Sequence, residues 1–595
     1  MTNFLYGKSF LLYAEIFTTF FHKRLEKIGK IRYNISIAYR GTLSRLSQSV
    51  SRPRAATEKI ARIMAMTLQD YLNLRNGSDV RGVACEGIEG QPVTLTEEAA
   101  ENIAKAFCVW LISRTGKTRV TVAVGYDSRI TSPALCDAAV KGITSTGHDA
   151  VVTGLSTTPS MFMLLKDEKR QNERFCHGSI MITASHLPFN RNGLKFFSHS
   201  GGLESTDVKE ILELASTFRF AETAAVGERV ELPYLDEYAA SLVEKVRVAT
   251  GEETPLAGKR IVVDAGNGVG GFYADKVLAP LGADTTGSQF LEPDGNFPNH
   301  IPNPENAQAM ESVCNAVLAA NADLGIIFDT DVDRAGAVDS DGTEINRNRL
   351  IALISAVLLS ERTGPIVTDS VTSDGLTTFI AKRGGKHLRF KRGYKNVINE
   401  AIRRNESGEY CPLAIETSGH AAMYENYFLD DGAYLITRLL IAMAQAAKEG
   451  KKLTDLIADL QTPAEAQEIR LDFKPDCDFR ALGKKVIEDF AAYAQNLYYA
   501  TPATDNYEGY RLHYDDLHGD GWALIRMSLH DPVLPINIES DSENGAVKIA
   551  KDLYYFLKKY DFLDPSPFET FIDGWRRQKI AALKTKFAKD ENGNA

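Results

Sequence analysis

The sequence of 595 residues predicts a multidomain α/β protein, in which three successive α/β units precede an α+β unit with an antiparallel sheet. The chain is too long for one hydrophobic core, because single domains rarely grow beyond about 250–300 residues. From about residue 96 to residue 463 short apolar strands alternate with helical segments, which is typical of mixed or parallel sheets. Beyond that point the strands alternate in polarity on either side of a loop, which favours an antiparallel sheet. The predicted segments are an N-terminal extension, four units and a tail: 1–63, 64–228, 229–344, 345–463, 464–563 and 564–595.

The first unit contains a candidate nucleophile. An apolar strand, Ser179–Ile182, leads directly to Ser185 and His186. Ligands of α/β folds bind at the carboxyl ends of strands. A serine beside a histidine at such an end, with Lys195 ten residues on, can act as a nucleophile with its own charge partners. The elements before it are expected at Thr96–Ser113, Arg119–Gly125, Ser132–Gly147 and Ala150–Val152.

The second unit carries three aspartates at alternate positions. Asp329, Asp331 and Asp333 follow the apolar strand Leu324–Phe328. Carboxylates with this spacing can converge on one hard cation such as Mg²⁺, and without a cation they would repel one another. A calcium loop of the EF-hand type lacks its required glycine and glutamate here. The adjacent Arg334 suits either a phosphate contact or a salt bridge to one of the aspartates.

The same unit contains a Gly-x-Gly-x-x-Gly turn, Gly266–Gly271, after the strand Lys259–Asp264. In this context such a turn can bind a dinucleotide. No acidic residue is clearly placed about twenty residues further on to bind a ribose. We therefore interpret the turn as a tight βα turn whose glycines permit close packing, with a helix directly after it.

The third unit has a polar stretch at the end of a strand. Glu416, Ser418 and His420 follow the predicted strand Leu413–Ile415. A carboxylate, a hydroxyl and an imidazole suit a polyhydroxylated ligand. An ordinary polar loop is the structural alternative.

The fourth unit offers groups that could bind a phosphate. Arg526, Ser528 and His530 lie at or near the loop between the predicted strands Trp522–Met527 and Val533–Glu539. An arginine can bind a phosphate through two parallel hydrogen bonds. A solvated hairpin end is the structural alternative.

The composition restricts the class of function. The formal net charge of −10 argues against broad nucleic-acid binding, which requires basic patches. The seven cysteines are scattered and include no Cys-x-x-Cys pair. Their spacing fits a reducing compartment and argues against both a disulfide framework and a zinc site.

The first 63 residues differ from the rest of the chain. They carry a local charge of +9, against about −19 for the remainder, and they are rich in serine and arginine. They are either a transit peptide or upstream translation before a start at Met64 or Met66. Their apolar patch, Phe4–Phe21, is interrupted by charges and is a poor membrane span. We expect a cytoplasmic protein without membrane contact, or an organellar one, in a plastid for example, if the segment is a transit peptide.

Taken together, the motifs resemble the α-D-phosphohexomutase family, which includes phosphoglucomutase and phosphomannomutase. The resemblance extends from about residue 76 to residue 560. Its most specific parts are the Thr-Ala-Ser-His-x-Pro and Asp-x-Asp-x-Asp-Arg motifs, at residues 183–188 and 329–334. The supporting matches are Ser78–Gly82, Gly125-x-Asp127-Ser128-Arg129, Asn192-Gly193-x-Lys195 and Val263-Asp264-x-Gly266-Asn267-Gly268.

The resemblance implies four domains around a central cleft, and interconversion of hexose 1-phosphate and hexose 6-phosphate, for glucose, mannose or both. It implies a phosphorylated Ser185 and one Mg²⁺ held by this phosphate and by the three aspartates. A hexose 1,6-bisphosphate would be both intermediate and activator. The implied acid/base and charge-stabilising residues are Arg81, His186, Lys195 and His420. The implied substrate-binding residues are Arg334, Glu416, Ser418, Arg526, Ser528 and His530.

The partner implied is a small sugar phosphate, bound by a monomer or a homodimer. Phosphoglucosamine mutase stays open as an alternative, because its members share the Glu-x-Ser-Gly-His loop. A metal-dependent sugar phosphatase would use the aspartates without Ser185. A serine hydrolase would lack the usual Gly-x-Ser-x-Gly turn and leave the aspartates unexplained.

The chain departs from the family pattern at three places. Leu187 stands where members commonly have asparagine. Leu529-His530-Asp531 replaces a more usual Gly/Asn-Thr-Glu/Ser pattern, and Tyr394 stands where Lys-x-Gly-His is frequent. These departures affect the expected phosphate loop more than the first two units.

Overall fold

A computed structural model describes residues 66–220, 225–475, 477–528 and 531–592. They form three mixed sheets and one antiparallel sheet, as the sequence predicts. The predicted N-terminal extension, 1–63, lies outside the described residues, and so does His530. Within the described ranges, no helix is both long enough and apolar enough to cross a membrane.

The first sheet has the predicted serine strand near its centre. Its strands are β1 (Arg75–Asn76), β2 (Asp79–Val83), β3 (Thr121–Tyr126), β4 (Asp149–Leu155), β5 (Gly178–Ile182), β6 (Arg191–Ser198), β7 (Gly201–Gly202) and β8 (Arg229–Glu231). Their order is β1-β2-β6-β5-β3-β4-β8, with β7 paired to β6. The serine strand β5 is parallel to β3, antiparallel to β6, and buried along its whole length. The apolar run in the sequence is therefore a central strand. β8, which follows the predicted limit of the first unit, pairs with β4.

Helices cover this sheet, and most of them begin at a side chain that caps the first turn. They are α1 (Leu68–Asn73), α2 (Glu97–Thr115), α3 (Ser132–Ser145), α4 (Thr158–Lys166), α5 (Glu168–Glu173) and α6 (Ser205–Thr217). The Thr157 side chain accepts the Ser160 N–H, which satisfies a free donor at the start of α4. This cap fixes the N-terminus of α4, whose first residue, Thr158, contacts Asp331 of the second unit.

The second sheet places the aspartates at the end of its central strand. It comprises β9 (Ile261–Asp264), β10 (Leu324–Phe328), β11 (Ala335–Asp339) and β12 (Glu344–Ile345), with helices α7 (Leu235–Thr250) and α8 (Ala307–Ala320). The order is β12-β11-β10-β9, and β10 is parallel to β9 and antiparallel to β11. All of β10 is buried.

The Gly266–Gly271 turn follows β9 and serves packing. A Cβ at Gly268 would lie 2.8 Å from Thr330 Cα, and one at Gly271 would lie 2.1 Å from the Leu291 carbonyl oxygen. Only glycine fits such approaches. The expected α-helix is replaced by a 3₁₀ turn, Val269–Gly271, and a π-helical turn, Ala274–Leu278.

The third sheet repeats the mixed arrangement. It comprises β13 (Pro365–Thr368), β14 (Lys386–Arg389), β15 (Leu413–Ile415) and β16 (Ala421–Met423), with helices α9 (Arg347–Glu361), α10 (Asp374–Lys382), α11 (Tyr394–Glu406) and α12 (Gly432–Lys448). The order is β14-β13-β15-β16, in which only the last pair is antiparallel.

The fourth sheet is antiparallel throughout. It comprises β17 (Glu465–Asp472), β18 (Ala500–Pro502), β19 (Tyr510–Tyr514), β20 (Gly521–Ile525) and β21 (Val533–Ser540), with helices α13 (Phe479–Ala494), α14 (Gly545–Leu557) and α15 (Ser566–Asn592). Its order is β17-β21-β20-β19-β18.

The hydrophobic cores divide the molecule unequally. One continuous cluster contains buried residues of the first three sheets and their helices, for example Met161, Phe328 and Leu435. The fourth sheet has a separate cluster of its own, with Phe490, Ile536 and Leu553. Shared apolar contact therefore connects the first three units, whereas the fourth is a separately packed body.

Candidate active site

Ser185 lies just beyond β5 and contacts the second sheet through its hydroxyl. The hydroxyl donates to Asp329 Oδ2 at 2.9 Å and accepts from Arg334 Nη2 at 3.1 Å. His186 Nδ1 lies 3.3 Å from the same oxygen. The residue has a φ of 51°, uncommon outside glycine, and its N–H donates to Thr183 Oγ1 at 2.9 Å. The loop thus holds the serine in one unusual backbone conformation.

A buried arginine, to which the sequence analysis gave no role, shapes this loop. Arg129, in the Gly-x-Asp-Ser-Arg motif, is 1% exposed. Its guanidinium donates to four backbone carbonyls of the serine loop: Ser185, Leu187, Pro188 and Arg191. Asp127 balances its charge at 3.3 Å. The loop therefore wraps around the Arg129 guanidinium, which fixes the direction of the serine side chain.

The three aspartates converge as the sequence predicts. All are buried, and their carboxylates lie within 4.8 Å of one another. Asp331 Oδ1 and Asp333 Oδ1 have no hydrogen-bond partner within the described part of the chain. Buried oxygens without donors are costly unless a cation binds them. The oxygens fit a hard divalent cation, with Ser185 at hand to supply a further ligand.

Two further groups hold the aspartate loop in place. Thr158 at the start of α4 donates its hydroxyl to Asp331 Oδ2 at 2.5 Å, and its N–H to the Asp331 carbonyl at 2.9 Å. The Lys195 ammonium forms ion pairs with Asp333 and, at 3.3 Å, with Asp331. Burial opposes its charge, but these carboxylates outweigh burial and raise the pKa of Lys195 well above its usual value. Lys195 is therefore a permanent positive charge here.

Arg334 forms a salt bridge and also contacts the serine. Its Nε and Nη2 lie 3.0 Å from Asp329 Oδ2, and Nη1 donates to Asn303 Oδ1 at 3.2 Å. Of the two roles that the sequence left open, the salt bridge is the one observed. Because Nη2 also reaches Ser185 Oγ, a phosphate on that oxygen would lie beside the guanidinium as well.

Arg81 lies on β2 beside the serine loop. Its Nη1 donates to the Thr183 carbonyl at 2.5 Å, and its Nη2 pairs with Asp79 at 2.8 Å. The structure therefore brings Arg81, Ser185, His186 and Lys195 to one end of the first sheet, against the aspartates of the second.

The two histidines of the site differ in charge. Arg334 and burial lower the pKa of His186 to about 2, so this imidazole is neutral. His420 donates from Nδ1 to Asp430 at 2.5 Å and lies 4.0 Å from Asp333. Burial opposes its charge, but Asp430 and Asp333 outweigh burial and raise the pKa of His420 to about 9. His186 is therefore a neutral hydrogen-bond partner of Ser185, whereas His420 carries a positive charge and can donate a proton.

Glu416 and Ser418 follow β15, as predicted, and lie next to each other. The Ser418 hydroxyl donates to Glu416 Oε2 at 3.4 Å, and the Gly393 N–H donates to Oε1 at 2.6 Å. Burial and the charge of Asp369 raise the pKa of Glu416 to about 7. The carboxyl can therefore both donate and accept hydrogen bonds near neutral pH.

Arg526 and Ser528 line a different part of the molecule, a cavity of about 600 Å³. Glu305, Arg392 and Thr417 line the same cavity, so it lies between the second, third and fourth units. The Arg526 Nη1 donates to the Met527 carbonyl at 3.3 Å, and its buried Nε has no partner among the described residues. The structure does not describe His530, so its predicted role stays a prediction.

Arg392 is a residue of this cavity that sequence analysis missed. It pairs with Glu305 at 3.3 Å, and Glu305 Oε2 lies 3.9 Å from Arg334. A series of alternating charges thus connects the serine end of the cleft with the Arg526 cavity. Burial first, and the nearby Arg392 second, lower the pKa of Arg526. Two guanidiniums that line one cavity favour an anion between them.

Comparisons with known proteins agree with this arrangement. Models for domains I, II and III of phosphoglucomutase/phosphomannomutase match residues 73–221, 236–342 and 346–463. A phosphoglucomutase/phosphomannomutase of Thermococcus kodakarensis is 30% identical over 472 residues, which is 78% of this chain and 94% of that protein. A phosphoglucomutase of Neisseria gonorrhoeae is 29% identical over 474 residues, covering 79% and 94%. The crystal structure of a phosphoglucomutase/phosphomannomutase family protein from Burkholderia thailandensis matches with a TM-score of 0.68 at 28% identity, covering 83% of this chain and 98% of that one.

Proposed function

The chain belongs to the α-D-phosphohexomutase family of phosphoglucomutases and phosphomannomutases, which are isomerases, and from that premise we propose its specific reaction. It interconverts hexose 1-phosphate and hexose 6-phosphate of glucose, mannose or both, through a phosphoserine at Ser185 and a hexose 1,6-bisphosphate. The observation that supports this most directly is the Ser185 hydroxyl within 3.1 Å of both Asp329 and Arg334. A nucleophile so placed lies between a metal-ligand set and a phosphate-binding cation.

Mg²⁺ would be held by Asp329, Asp331, Asp333 and the phosphate on Ser185. The support for this assignment is that one carboxylate oxygen each of Asp331 and Asp333 has no hydrogen-bond partner among the described residues. When bound, the cation would offset negative charge on the transferring phosphoryl group. Arg334 and Lys195 would add fixed positive charge at the same group, so positioning and electrostatics carry the rate enhancement.

The residues of the chain supply the two half-reactions. In the first, a sugar hydroxyl oxygen bonds to phosphorus while the bond from phosphorus to Ser185 Oγ breaks, which gives the bisphosphate. In the second, Ser185 Oγ attacks the other phosphate of the bisphosphate and the bond from that phosphorus to the sugar oxygen breaks. In each half-reaction the proton lost by the attacking hydroxyl is balanced by the proton that the leaving oxygen takes up, so no net proton is gained or lost. The neutral His186 ring, 3.3 Å from Ser185 Oγ, is a hydrogen-bond partner of the serine and not its base, because its pKa is lowered to about 2. The protonated His420 can donate a proton to the departing sugar oxygen.

The other end of the sugar would occupy the cavity between the second, third and fourth units. Glu416 and Ser418 bind its hydroxyls, and Arg526, Ser528 and Arg392 bind the phosphate that is not transferred. Because the bisphosphate must return its other phosphate to Ser185, it turns around within the cleft between the half-reactions. A spacious cavity of about 600 Å³ is compatible with this movement.

The test is to follow the reaction by phosphorus NMR with residues 66–595. Glucose 1-phosphate, mannose 1-phosphate and glucosamine 1-phosphate are supplied in parallel, each with Mg²⁺ and a trace of hexose 1,6-bisphosphate. We expect a 6-phosphate from glucose, mannose or both, and a loss of at least about 10³-fold in Ser185→Ala. Ser200→Ala, an exposed serine on the neighbouring hairpin, is the matched control and keeps full activity.

Three outcomes would contradict the proposal. Turnover of glucosamine 1-phosphate alone would establish the alternative sugar. Release of free phosphate without a 6-phosphate, unaffected by Ser185→Ala, would indicate a phosphatase. A protein that gains no phosphate on Ser185, by mass spectrometry after incubation with the bisphosphate, would refute the phosphoserine.

A further inference from the structure

Tyr394 contacts both the first and the third unit at the site. It is the first residue of α11, in the third unit. Its hydroxyl and the Ser78 hydroxyl of the first unit are 2.9 Å apart. Its ring stacks on the imidazole of His420, with centroids 5.1 Å apart and planes inclined by 22°. The residue before it, Gly393, donates its N–H to Glu416.

These contacts complete the support of His420. The bond from Nδ1 to Asp430 fixes one edge of the imidazole. A single hydrogen bond leaves the ring free to tilt about that contact, and a parallel aromatic ring removes this freedom. With the hydrogen bond to Asp430 and the stacked ring together, His420 Nδ1 stays 4.0 Å from Asp333 Oδ1. The tyrosine therefore restricts the histidine to one orientation.

The Ser78 bond ties the same ring to the first unit. Ser78 lies in the turn between β1 and β2, next to Asp79, which pairs with Arg81. A cavity of about 530 Å³ separates the first and third units here, and Lys195, Asp333 and Tyr394 line it. Polar contacts bridge this space. Tyr394 bridges it beside Lys195, and the Lys395–Glu204 ion pair, at 2.9 Å, is a second bridge.

We propose that Tyr394 is a positioning residue that holds the His420 imidazole beside Asp333, and that the Ser78 bond keeps this histidine aligned with the Arg81 side of the cleft. This inference rests on the proposed mutase function. It concerns a position where the chain departs from the pattern frequent in the family. Tyr394 acts through His420 and does not itself take part in bond exchange.

Kinetics of five variants test the proposal. Tyr394→Leu removes the stacked ring and lowers kcat by about 10- to 30-fold, while KM stays within about twofold. Tyr394→Phe and Ser78→Ala each remove only the hydroxyl bond and lower kcat by about three- to fivefold. The double variant Ser78→Ala/Tyr394→Phe is no slower than either single one, because both remove the same bond. Lys395→Met breaks the second bridge and leaves kcat unchanged.

Equal losses of kcat in Tyr394→Leu and Lys395→Met would overturn the proposal, since any contact between the first and third units would then have the same effect. A raised KM with unchanged kcat would overturn it too, as would additive effects of Ser78→Ala and Tyr394→Phe. Tyr427→Phe, a hydroxyl removed from the wall of the same cavity, is the control for the phenylalanine variant.

A second measurement is independent of turnover. In protein labelled with ¹³C-histidine, the ring protons of His420, identified by their loss in His420→Gln, are shifted upfield by the tyrosine ring. We expect that shift to persist in Tyr394→Phe and to vanish in Tyr394→Leu. If it persists in Tyr394→Leu, the positioning role is wrong. If the wild-type protein shows the shift but no mutase activity, the proposed function fails although the contact between the two rings is established.

Discussion

The two ends of the cleft are built differently. At the serine end, Ser185, Asp329 and Arg334 contact one another, and a shared hydrophobic core connects the units that carry them. At the other end, Arg526 belongs to a unit with its own core. Its Nε has no partner among the residues described, and the cavity around it is about 600 Å³. At the serine end, the polar groups already contact one another without a substrate. At the Arg526 end, contacts are missing that a ligand can supply.

Polar contacts, rather than shared core, connect the fourth unit to the third. Arg511 pairs with Asp374 at 2.8 Å, and Ser370 donates to Glu508 at 2.5 Å. The difference follows from the tasks proposed for the two ends. Electrostatic stabilisation of a transferring phosphoryl group requires fixed groups, whereas binding the other phosphate requires positive charge. We therefore expect changes at the serine end to lower kcat and changes at the other end to raise KM.

The largest expected effect is at the aspartates. Asp331→Asn removes a charge from the proposed metal site and should lower kcat by about 10³-fold, with much weaker Mg²⁺ binding, because a carboxylate ligand is lost. Activity against Mg²⁺ concentration and titration calorimetry measure both. Asp341→Asn, on an exposed turn of the same sheet, should change neither. Unaltered Mg²⁺ affinity in Asp331→Asn would place the metal elsewhere.

The next effect concerns the arginine inside the serine loop. Arg129→Met leaves four carbonyls without their donor, so the loop should lose its conformation and kcat should fall by about 10²-fold. Steady-state kinetics and thermal melting separate a loop effect from unfolding. Arg119→Met, an exposed arginine paired with Asp149 near the same sheet, is the control. Equal kcat in both variants would show that the four bonds do not orient Ser185.

At the other end, Arg526→Met and Arg392→Met should each raise KM about tenfold and change kcat by less than about threefold, because a phosphate contact is lost in ground state and transition state alike. Initial rates over a range of hexose phosphate concentrations measure this. Arg470→Met is the matched control, since Arg470 lines the same cavity but is half exposed and pairs with Glu468. A large fall in kcat with unchanged KM would remove the contrast between the two ends.

The smallest effect is on pH dependence. With its pKa raised to about 7, Glu416 is ionised above that pH and protonated below it. If the carboxylate accepts the sugar hydroxyls, KM should rise about threefold as the pH falls from about 7.5 to about 6.5. The ratio of wild-type KM to that of Glu416→Gln cancels titration of the substrate phosphate. A ratio independent of pH would exclude the ionised Glu416 from sugar binding.

The sequence by itself determined the local features of the protein. Apolar runs of four or five residues predicted β5 and β10, and both are buried throughout. The residues directly after these strands, Ser185 and the three aspartates, could be identified because a strand end and its loop are set by neighbouring residues. The glycines after β9 likewise indicated close packing, though the turns after them are 3₁₀ and π rather than α-helical.

Only the tertiary structure decided which distant residues support the site. Arg129 lies 56 residues before the serine whose carbonyl it binds, and Thr158 lies 173 residues before its partner Asp331. Tyr394 and Ser78 are 316 residues apart. No periodicity or motif couples such positions, because their contact depends on how whole sheets pack against one another. The sequence pattern determines where a strand ends, and the packing of the sheets determines which residues that end contacts.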